Sequence, residues 1–285
     1  MRWQGNRQSG NVEDRRGVRA GRGAAIGGGG LLLLLAFALF TGQDPSILLD
    51  MVNDQTQVSV DPGQAGSQGP PTDELGQFAS TVLASTEDVW EIVLPKFGHR
   101  YEEPALVLFS GAVDSACGFA SAAVGPFYCP ADRKLYLDLS FFEDLDRRFG
   151  APGDFAQAYV IAHEVGHHVQ NLLGVSGTVD RIRQRASQEE ANEASVRLEL
   201  QADCFAGVWG NEANQRAKLL EPGDVEEGLR AAAAIGDDRL QRQSGRGVQP
   251  ESWTHGSSEM RARWLRRGLE TGDLNACNTF TAPQL

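Results

Sequence analysis

The sequence has few basic residues, only four cysteines and no phosphate-binding loop. Its 285 residues contain 26 Lys and Arg against 38 Asp and Glu, which gives a formal net charge of −12. Non-specific binding to nucleic acid needs clustered basic residues, so this balance argues against a nucleic-acid partner. The glycine run Gly27–Gly30 is not followed by Lys-Ser or Lys-Thr, as a phosphate-binding loop would require. The chain contains no internal repeats.

The remaining composition is close to the globular average, with 41% hydrophobic and 22% charged residues. These values exclude a collagen-like, wholly disordered or polytopic membrane protein. The length suits one medium domain with appendages, or two small domains, and it allows a sizeable core to be buried.

Charge is distributed unevenly along the chain. Residues 1–30 contain six arginines and only two acidic residues, whereas the rest of the chain is acidic. From Gly23 to Gly42 no residue is charged, which is about the ~20 residues needed to span a bilayer. The dense apolar part, Leu31–Phe40, is closer in length to the hydrophobic core of a signal peptide. A buried core helix is a further alternative, but five successive leucines leave no polar face.

These features predict a basic head over residues 1–22, a transmembrane anchor over 23–42, a flexible acidic tether over 43–73 and a folded domain over 74–285. The positive-inside rule places the head in the cytoplasm and residues 43–285 outside it. No convincing small-residue cleavage site follows the apolar run, which favours an uncleaved anchor over a removed signal. The tether contains no Lys or Arg and is rich in Gly, Pro, Gln and Ser.

The folded domain is expected to be a helix-rich α+β domain with a small sheet. A short β-type run, Ala105–Ser110, and a hairpin of Pro126–Cys129 with Lys134–Asp138 predict the sheet. Apolar periodicity predicts helices over 74–97, 140–149, 154–173, 189–214, 222–243 and 257–272.

The helix over 154–173 contains the sequence His163-Glu164-Val-Gly-His167. Residues four apart share a helix face, so both imidazoles can reach one zinc ion. Glu164 lies further round the helix and can act as general base on a zinc-bound water, whose pKa zinc lowers to about 7. An accidental match on a surface helix is the alternative, but a buried Glu and two buried His are unfavourable without partners.

Two histidines need a third protein ligand, and a catalytic zinc site keeps a fourth position for water. The candidates are His99, His168, His255 and the downstream acidic residues. His168 points about 100° away from its neighbour on the helix, so it is not expected to bind the metal. Glu199 and Asp203 are also four apart, which predicts Glu199 as third ligand and Asp203 as acceptor for an imidazole N–H of a ligand. A solvated acidic helix face is the alternative.

The four cysteines form an even number in a segment predicted to lie outside the cytoplasm, and they allow three pairings. Locality favours Cys117 with Cys129, which would close a loop beside the hairpin. Cys204 with Cys277 would then tie the C-terminal tail to the helix that carries Glu199. No CxxC spacing supports a cysteine-bound zinc.

Several strings resemble known zinc peptidases. The HEVGHH string followed by ELQAD resembles the gluzincin arrangement, in which HExxH and a later Glu hold zinc. ELQAD and the segment Thr254–Arg261 also resemble CAAX-type and heat-shock membrane zinc proteases. The Arg-rich start, the apolar run, SACGFASAAVGPFYCPAD, YLDLSFF and AYVIAHEVGHHVQNLLG resemble the bacterial putative neutral zinc metallopeptidase family over nearly the whole chain. This resemblance implies a single-pass membrane protein whose zinc-peptidase domain lies in water.

By analogy with these proteases, His255 or Arg261 could stabilise the oxyanion of a tetrahedral intermediate, with His255 the favoured catalytic residue. The alternative is that Thr254 caps a helix while Arg261 forms a surface ion pair.

The sequence thus predicts a membrane-anchored, extracytoplasmic zinc metallopeptidase that acts on peptides or proteins. A substrate strand is expected to add to the sheet near Leu106–Ser110 or Leu135–Leu139. The alternatives are a non-catalytic zinc-stabilised module that binds a peptide or envelope partner, and a metal-dependent hydrolase of another amide. The expected zinc ligands are His163, His167 and Glu199.

Overall fold

The computed structural model describes residues 1–17, 67–245 and 247–285. Within them the strands are β1 (Val12–Asp14), β2 (Ser67–Gln68), β3 (Ala105–Phe109), β4 (Ala112–Ser115), β5 (Gly118–Ser121), β6 (Phe127–Cys129) and β7 (Lys134–Asp138). The α-helices are α1 (Glu74–Val93), α2 (Phe141–Arg147), α3 (Asp154–Leu172), α4 (Val175–Arg183), α5 (Gln188–Ala217), α6 (Asp224–Ala234), α7 (Asp237–Gln243) and α8 (Ser258–Thr271). The predicted fold class, a helix-rich α+β domain with a small sheet, is confirmed.

Aromatic side chains between α1, α3 and α5 form the centre of the core. The rings of Phe155 and Trp209 stack with centroids 5.9 Å apart. Trp90 meets Phe205 edge-on at 5.8 Å, and all four side chains are at most 1% exposed. Because these helices contribute large apolar side chains to one close-packed core, this packing fixes how α1, α3 and α5 lie against one another.

The main sheet has the strand order β2-β1-β3-β7-β6 among the described residues. Strands β1, β3 and β7 run parallel, whereas β2 and β6 pair antiparallel at the two ends. The predicted hairpin is therefore present as β6 and β7. Because β3 and β7 both lie inside the sheet, neither offers a free edge, and the expected sites of substrate addition at Leu106–Ser110 and Leu135–Leu139 are wrong.

The first seventeen residues belong to the folded domain. Val12 is 1% exposed and pairs with Leu106 of the neighbouring strand. Trp3 packs edge-on against Phe78 of α1, with ring centroids 5.3 Å apart. These contacts bury apolar surface that the charge pattern of residues 1–17 does not reveal.

Polar contacts also hold this segment in place. The Ser9 hydroxyl donates to the buried carboxylate of Glu87 at 2.5 Å. The Met1 ammonium donates to Asp154 at 2.6 Å and lies 3.3 Å from Asp224. Burial lowers the pKa of this ammonium, but the neighbouring carboxylates raise it above its usual value. The start of the chain is therefore tied to the first turn of α3, where Asp154 is the first helical residue and Gly153 the cap.

These contacts correct the predicted domain boundaries. Residues 1–17 and the end of the expected tether belong to the domain that was predicted to begin at residue 74. Two of the arginines that suggested the flank of an anchor pair with acids of the domain: Arg7 with Asp88, and Arg16 with Asp73.

Adjacent strands of one sheet lie on the same side of any membrane. The pairing of β1 with β3 is therefore incompatible with a bilayer between these two strands. In the ranges that the structure describes, no helix combines the length and apolarity needed to cross a membrane. The predicted anchor, residues 23–42, lies outside these ranges.

The helix predicted over 222–243 is interrupted at Gly236, between α6 and α7. A Cβ on Gly236 would overlap the backbone nitrogen of Ser258, so glycine allows the start of α8 to approach. This break places Asp237 at the first position of α7, beside the segment that carries His255.

Candidate metal centre

Helices α3 and α5 run antiparallel and bring their polar residues together. The Gln170 amide donates to the carbonyl oxygen of Leu198 at 2.7 Å. Nearer the start of α3, the Tyr159 hydroxyl donates to Asp203 at 2.6 Å. Between these two contacts the HExxH segment faces Glu199, as the i, i+4 spacings on both helices predict.

The three predicted ligands converge on one point. His163 Nε2 lies 3.2 Å from Glu199 Oε2, and His167 Nε2 lies 3.3 Å from Glu199 Oε1. One donor atom from each residue lies within 4.8 Å of the others. Ligand atoms around tetrahedral zinc, with bonds of about 2.0–2.1 Å, are separated by about 3.3–3.4 Å. These distances and the His-His-Glu donor set fit a zinc ion.

The other ring nitrogens of both histidines have acceptors. His163 Nδ1 lies 2.8 Å from Asp203 Oδ1, as predicted for the residue behind a ligand. His167 Nδ1 lies 2.9 Å from the side-chain oxygen of Gln170. With Nδ1 donating in each ring, the Nε2 lone pairs are free for the metal. Gln170 was not predicted from the sequence, although it lies three residues after His167 and therefore on the same helix face.

The charges around the site favour a cation. Burial lowers the pKa of His163, but the carboxylates of Asp203 and Glu199 outweigh this effect and raise the pKa to about 10. Burial raises the pKa of Glu199, but the two histidines hold it well below its usual range. Metal binding displaces protons from such ligands, so a site that holds a proton this firmly also suits a divalent cation.

Asp203 is fully buried and pairs with Arg261. The Arg261 guanidinium donates from Nε to Oδ2 and from Nη2 to Oδ1, each at 2.9 Å. Arg261 is only 2% exposed. This buried ion pair contradicts the expected surface ion pair. Arg261 also lines a cleft beside the three ligands, and its role as an oxyanion donor stays a prediction.

A cleft of about 580 Å³ opens beside the three ligands. Glu164, His255 and the segment Ala122–Tyr128 line it. Burial raises the pKa of the Glu164 carboxyl above its usual value. Phe127 and Tyr128 belong to β6, so an edge strand of the sheet forms part of the cleft wall.

His255 is held in the cleft wall by Asp237, a residue that the sequence analysis did not identify. Asp237 Oδ2 accepts the backbone N–H groups of Thr254, His255 and Gly256 at 2.7–3.0 Å. Its Oδ1 lies 3.3 Å from His255 Nδ1. The hydrogen bond to Asp237 raises the pKa of His255 above its usual value. Thr254 does not cap α8, because Ser257 occupies that position.

The remaining histidine candidates lie elsewhere. His168 is buried with Nε2 at 2.6 Å from the Glu102 carbonyl oxygen and Nδ1 at 2.9 Å from the Tyr128 hydroxyl. Burial lowers the pKa of His168 to about 4, and both of its ring nitrogens are engaged by groups other than the three predicted ligands. His99 is exposed after the end of α1 and is absent from the described donor cluster.

Both predicted disulfides are present, Cys117–Cys129 and Cys204–Cys277. The first ties the β4–β5 hairpin to the edge strand β6. The second ties α5, one residue after Asp203, to the C-terminal tail.

The chain is similar to proteins from bacteria. "Uncharacterized protein YpfJ" of Escherichia coli K12 is 49% identical over 292 residues, covering 98% of this chain and 99% of the relative. "Uncharacterized protein Rv2575" of Mycobacterium tuberculosis H37Rv is 43% identical over 262 residues, covering 87% of this chain and 86% of the relative. No solved structure matches. A family model matches residues 1–280, and the chain belongs to the family that it describes, "Putative neutral zinc metallopeptidase".

Proposed function

We propose that the protein is a zinc metallopeptidase that hydrolyses peptide bonds. The observation that carries this proposal is the convergence of His163, His167 and Glu199 at distances that suit tetrahedral zinc, beside an open cleft. A bound zinc ion acidifies water and polarises a carbonyl group. A purely structural zinc site is closed by four protein ligands, whereas the described donors here number three.

Glu164 is the proposed general base. It follows the first ligand directly and lines the cleft, so its carboxylate can accept a proton from a water molecule that attacks the substrate carbonyl. Its raised pKa also suits the return of that proton to the leaving amine. Such positioned acid–base groups contribute about 10²–10⁴-fold to rate.

His255 is the proposed donor to the oxyanion. Asp237 occupies its Nδ1 side, which leaves Nε2 as the donor available to the cleft. A protonated imidazole at this position would stabilise the negative charge that develops on the substrate oxygen. Asp237 thus orients His255 and raises its pKa.

The proposed substrates are peptides or proteins in an extended conformation. The cleft runs past β6, whose outer edge has no partner strand in the described sheet. Backbone groups of an extended peptide can pair with such an edge while the scissile bond lies over Glu164.

From the sequence we also propose that residues 23–42 attach the protein to a membrane. Two disulfides favour an oxidising compartment for the domain. Since residues 12–14 are part of the same sheet, we propose that both the first seventeen residues and the catalytic domain lie outside the cytoplasm.

The proposed function is tested with a peptide library, the zinc-loaded protein and two variants. We expect Glu164→Gln to retain stoichiometric zinc and lose hydrolysis. Glu189→Gln, a change on the exposed first turn of α5, serves as control and retains both. Hydrolysis that persists in Glu164→Gln contradicts the role of Glu164. Zinc binding without cleavage of any peptide by the unaltered protein contradicts the peptidase and favours a zinc-stabilised binding module.

A further inference from the structure

Asp203 lies behind the ligand His163, and its carboxylate is completely buried. Oδ1 accepts hydrogen bonds from His163 Nδ1 at 2.8 Å and from the Tyr159 hydroxyl at 2.6 Å. Neither partner carries a positive charge when His163 is the neutral imidazole that binds a metal. A buried carboxylate with only neutral partners is unfavourable, so the site needs a further cation behind it.

Arg261 of α8 supplies that cation. Nε donates to Asp203 Oδ2, Nη2 donates to Oδ1, and both distances are 2.9 Å. Nη2 also lies 3.2 Å from the Tyr159 hydroxyl oxygen. Two parallel hydrogen bonds from one guanidinium fix the plane of a carboxylate as well as its position.

We propose that Arg261 is a positioning residue of the metal centre, which acts through Asp203 on His163. With both carboxylate oxygens held, Oδ1 stays on the Nδ1–H of His163 and the Nε2 of that ring faces Glu199. Arg261 Nη2 also lies 3.4 Å from His163 Nδ1. Both atoms carry hydrogen when Nδ1 donates to Asp203, so the link to the ligand runs through the carboxylate. The inference rests on the proposed zinc site and is independent of peptide hydrolysis.

The packing of α8 on α5 gives Arg261 a rigid support. Gly268 follows Arg261 by two turns, and a Cβ on it would overlap the carbonyl oxygen of Cys204. The two helices therefore touch backbone to backbone at this point. Cys204 follows Asp203 directly, so one helix crossing determines the positions of both members of the ion pair.

The test is the zinc affinity of the full-length protein, measured by competition with a chromogenic chelator. We expect Arg261→Gln to weaken zinc binding by roughly 10–100-fold, the range typical of residues behind a metal ligand. Arg261→Lys retains the charge and should recover part of that loss. Arg266→Gln, an exposed change on the same helix, should leave the affinity unchanged.

A double-variant cycle separates positioning from a general effect on folding. Because Arg261 acts through Asp203, Asp203→Asn combined with Arg261→Gln should bind zinc no more weakly than Asp203→Asn alone. The double variant leaves no unpaired buried charge. If Arg261→Gln alone does not fold, the zinc affinities of the double variant and of Asp203→Asn still show whether Arg261 acts through Asp203. Wild-type affinity in folded Arg261→Gln, no recovery in Arg261→Lys, or independent losses that multiply in the double variant would each overturn the proposal.

Discussion

Gly166 lies directly against Ala202, where α3 packs on α5 at the metal centre. A Cβ on Gly166 would come within 2.9 Å of the Ala202 carbonyl oxygen and 3.1 Å of its Cα. Gly166 is the residue before the ligand His167, and Ala202 lies between Glu199 and Asp203. The absence of a side chain at this one position therefore allows Glu199 to reach both histidines.

Replacing Gly166 by alanine should destabilise the protein although alanine favours helix. Overpacking at such a contact costs about 1–3 kcal/mol, which exceeds the gain of about 1 kcal/mol from helix propensity. We expect a lower melting temperature and weaker zinc binding, measured by thermal unfolding and chelator competition. Gly177→Ala in α4 is the control, because a Cβ there meets nothing within 4 Å, and we expect it to be stabilising. Equal stabilisation in both variants contradicts the close approach.

Loss of Glu199 should remove zinc binding more than loss of any other acid on α5. Its two carboxylate oxygens face one histidine each, so Glu199→Ala leaves only two of three ligands. We expect the purified variant to lose stoichiometric zinc in metal analysis, while Glu193→Ala, an exposed change on the same helix, retains it. Undiminished zinc in Glu199→Ala would show that another group completes the site.

His163 and His167 could be predicted as ligands because they lie four residues apart on one helix, where spacing alone decides which side chains share a face. The same spacing pairs Glu199 with Asp203 on a second helix. The meeting of the two helices was inferred from the chemistry of zinc, which requires a third ligand. Asp237 could not be predicted in this way. Its partners lie 17 to 19 residues later, and the break at Gly236 that places it at the start of α7 depends on the close approach of Ser258.

The first seventeen residues were misassigned for a related reason. Their arginines precede an uncharged run, a pattern typical of a cytoplasmic flank. In the structure Arg7 and Arg16 pair with acids that lie 81 and 57 residues away in sequence, and Val12 pairs with a strand that is more distant still. Short strands with such remote partners carry little local signal.

The pH dependence of hydrolysis should depend on Asp237. Its hydrogen bond raises the pKa of His255; the charge of Glu199 also raises this pKa, and that of Arg261 lowers it. If protonated His255 stabilises the oxyanion, activity falls as pH rises through this pKa. Asp237→Asn lowers the pKa, so the alkaline limb of the kcat/KM profile should move to lower pH. Asn can still accept backbone N–H groups, which limits the effect on the loop. An alkaline limb that stays in place would exclude this role for His255.

The pairing of β1 with β3 predicts that the start of the chain and the catalytic domain lie on one side of the membrane. Gln4 and Glu270 are both exposed, so Gln4→Cys and Glu270→Cys introduce one accessible thiol each. The native cysteines are in disulfides and do not react. In intact spheroplasts of the expressing bacterium, a membrane-impermeant maleimide should label both variants to the same extent. Labelling of Glu270→Cys alone before permeabilisation would separate the two thiols by a bilayer, which the β1–β3 pairing does not permit. Labelling of neither would place the whole domain in the cytoplasm and contradict the proposed compartment, while leaving the shared side of the two segments intact.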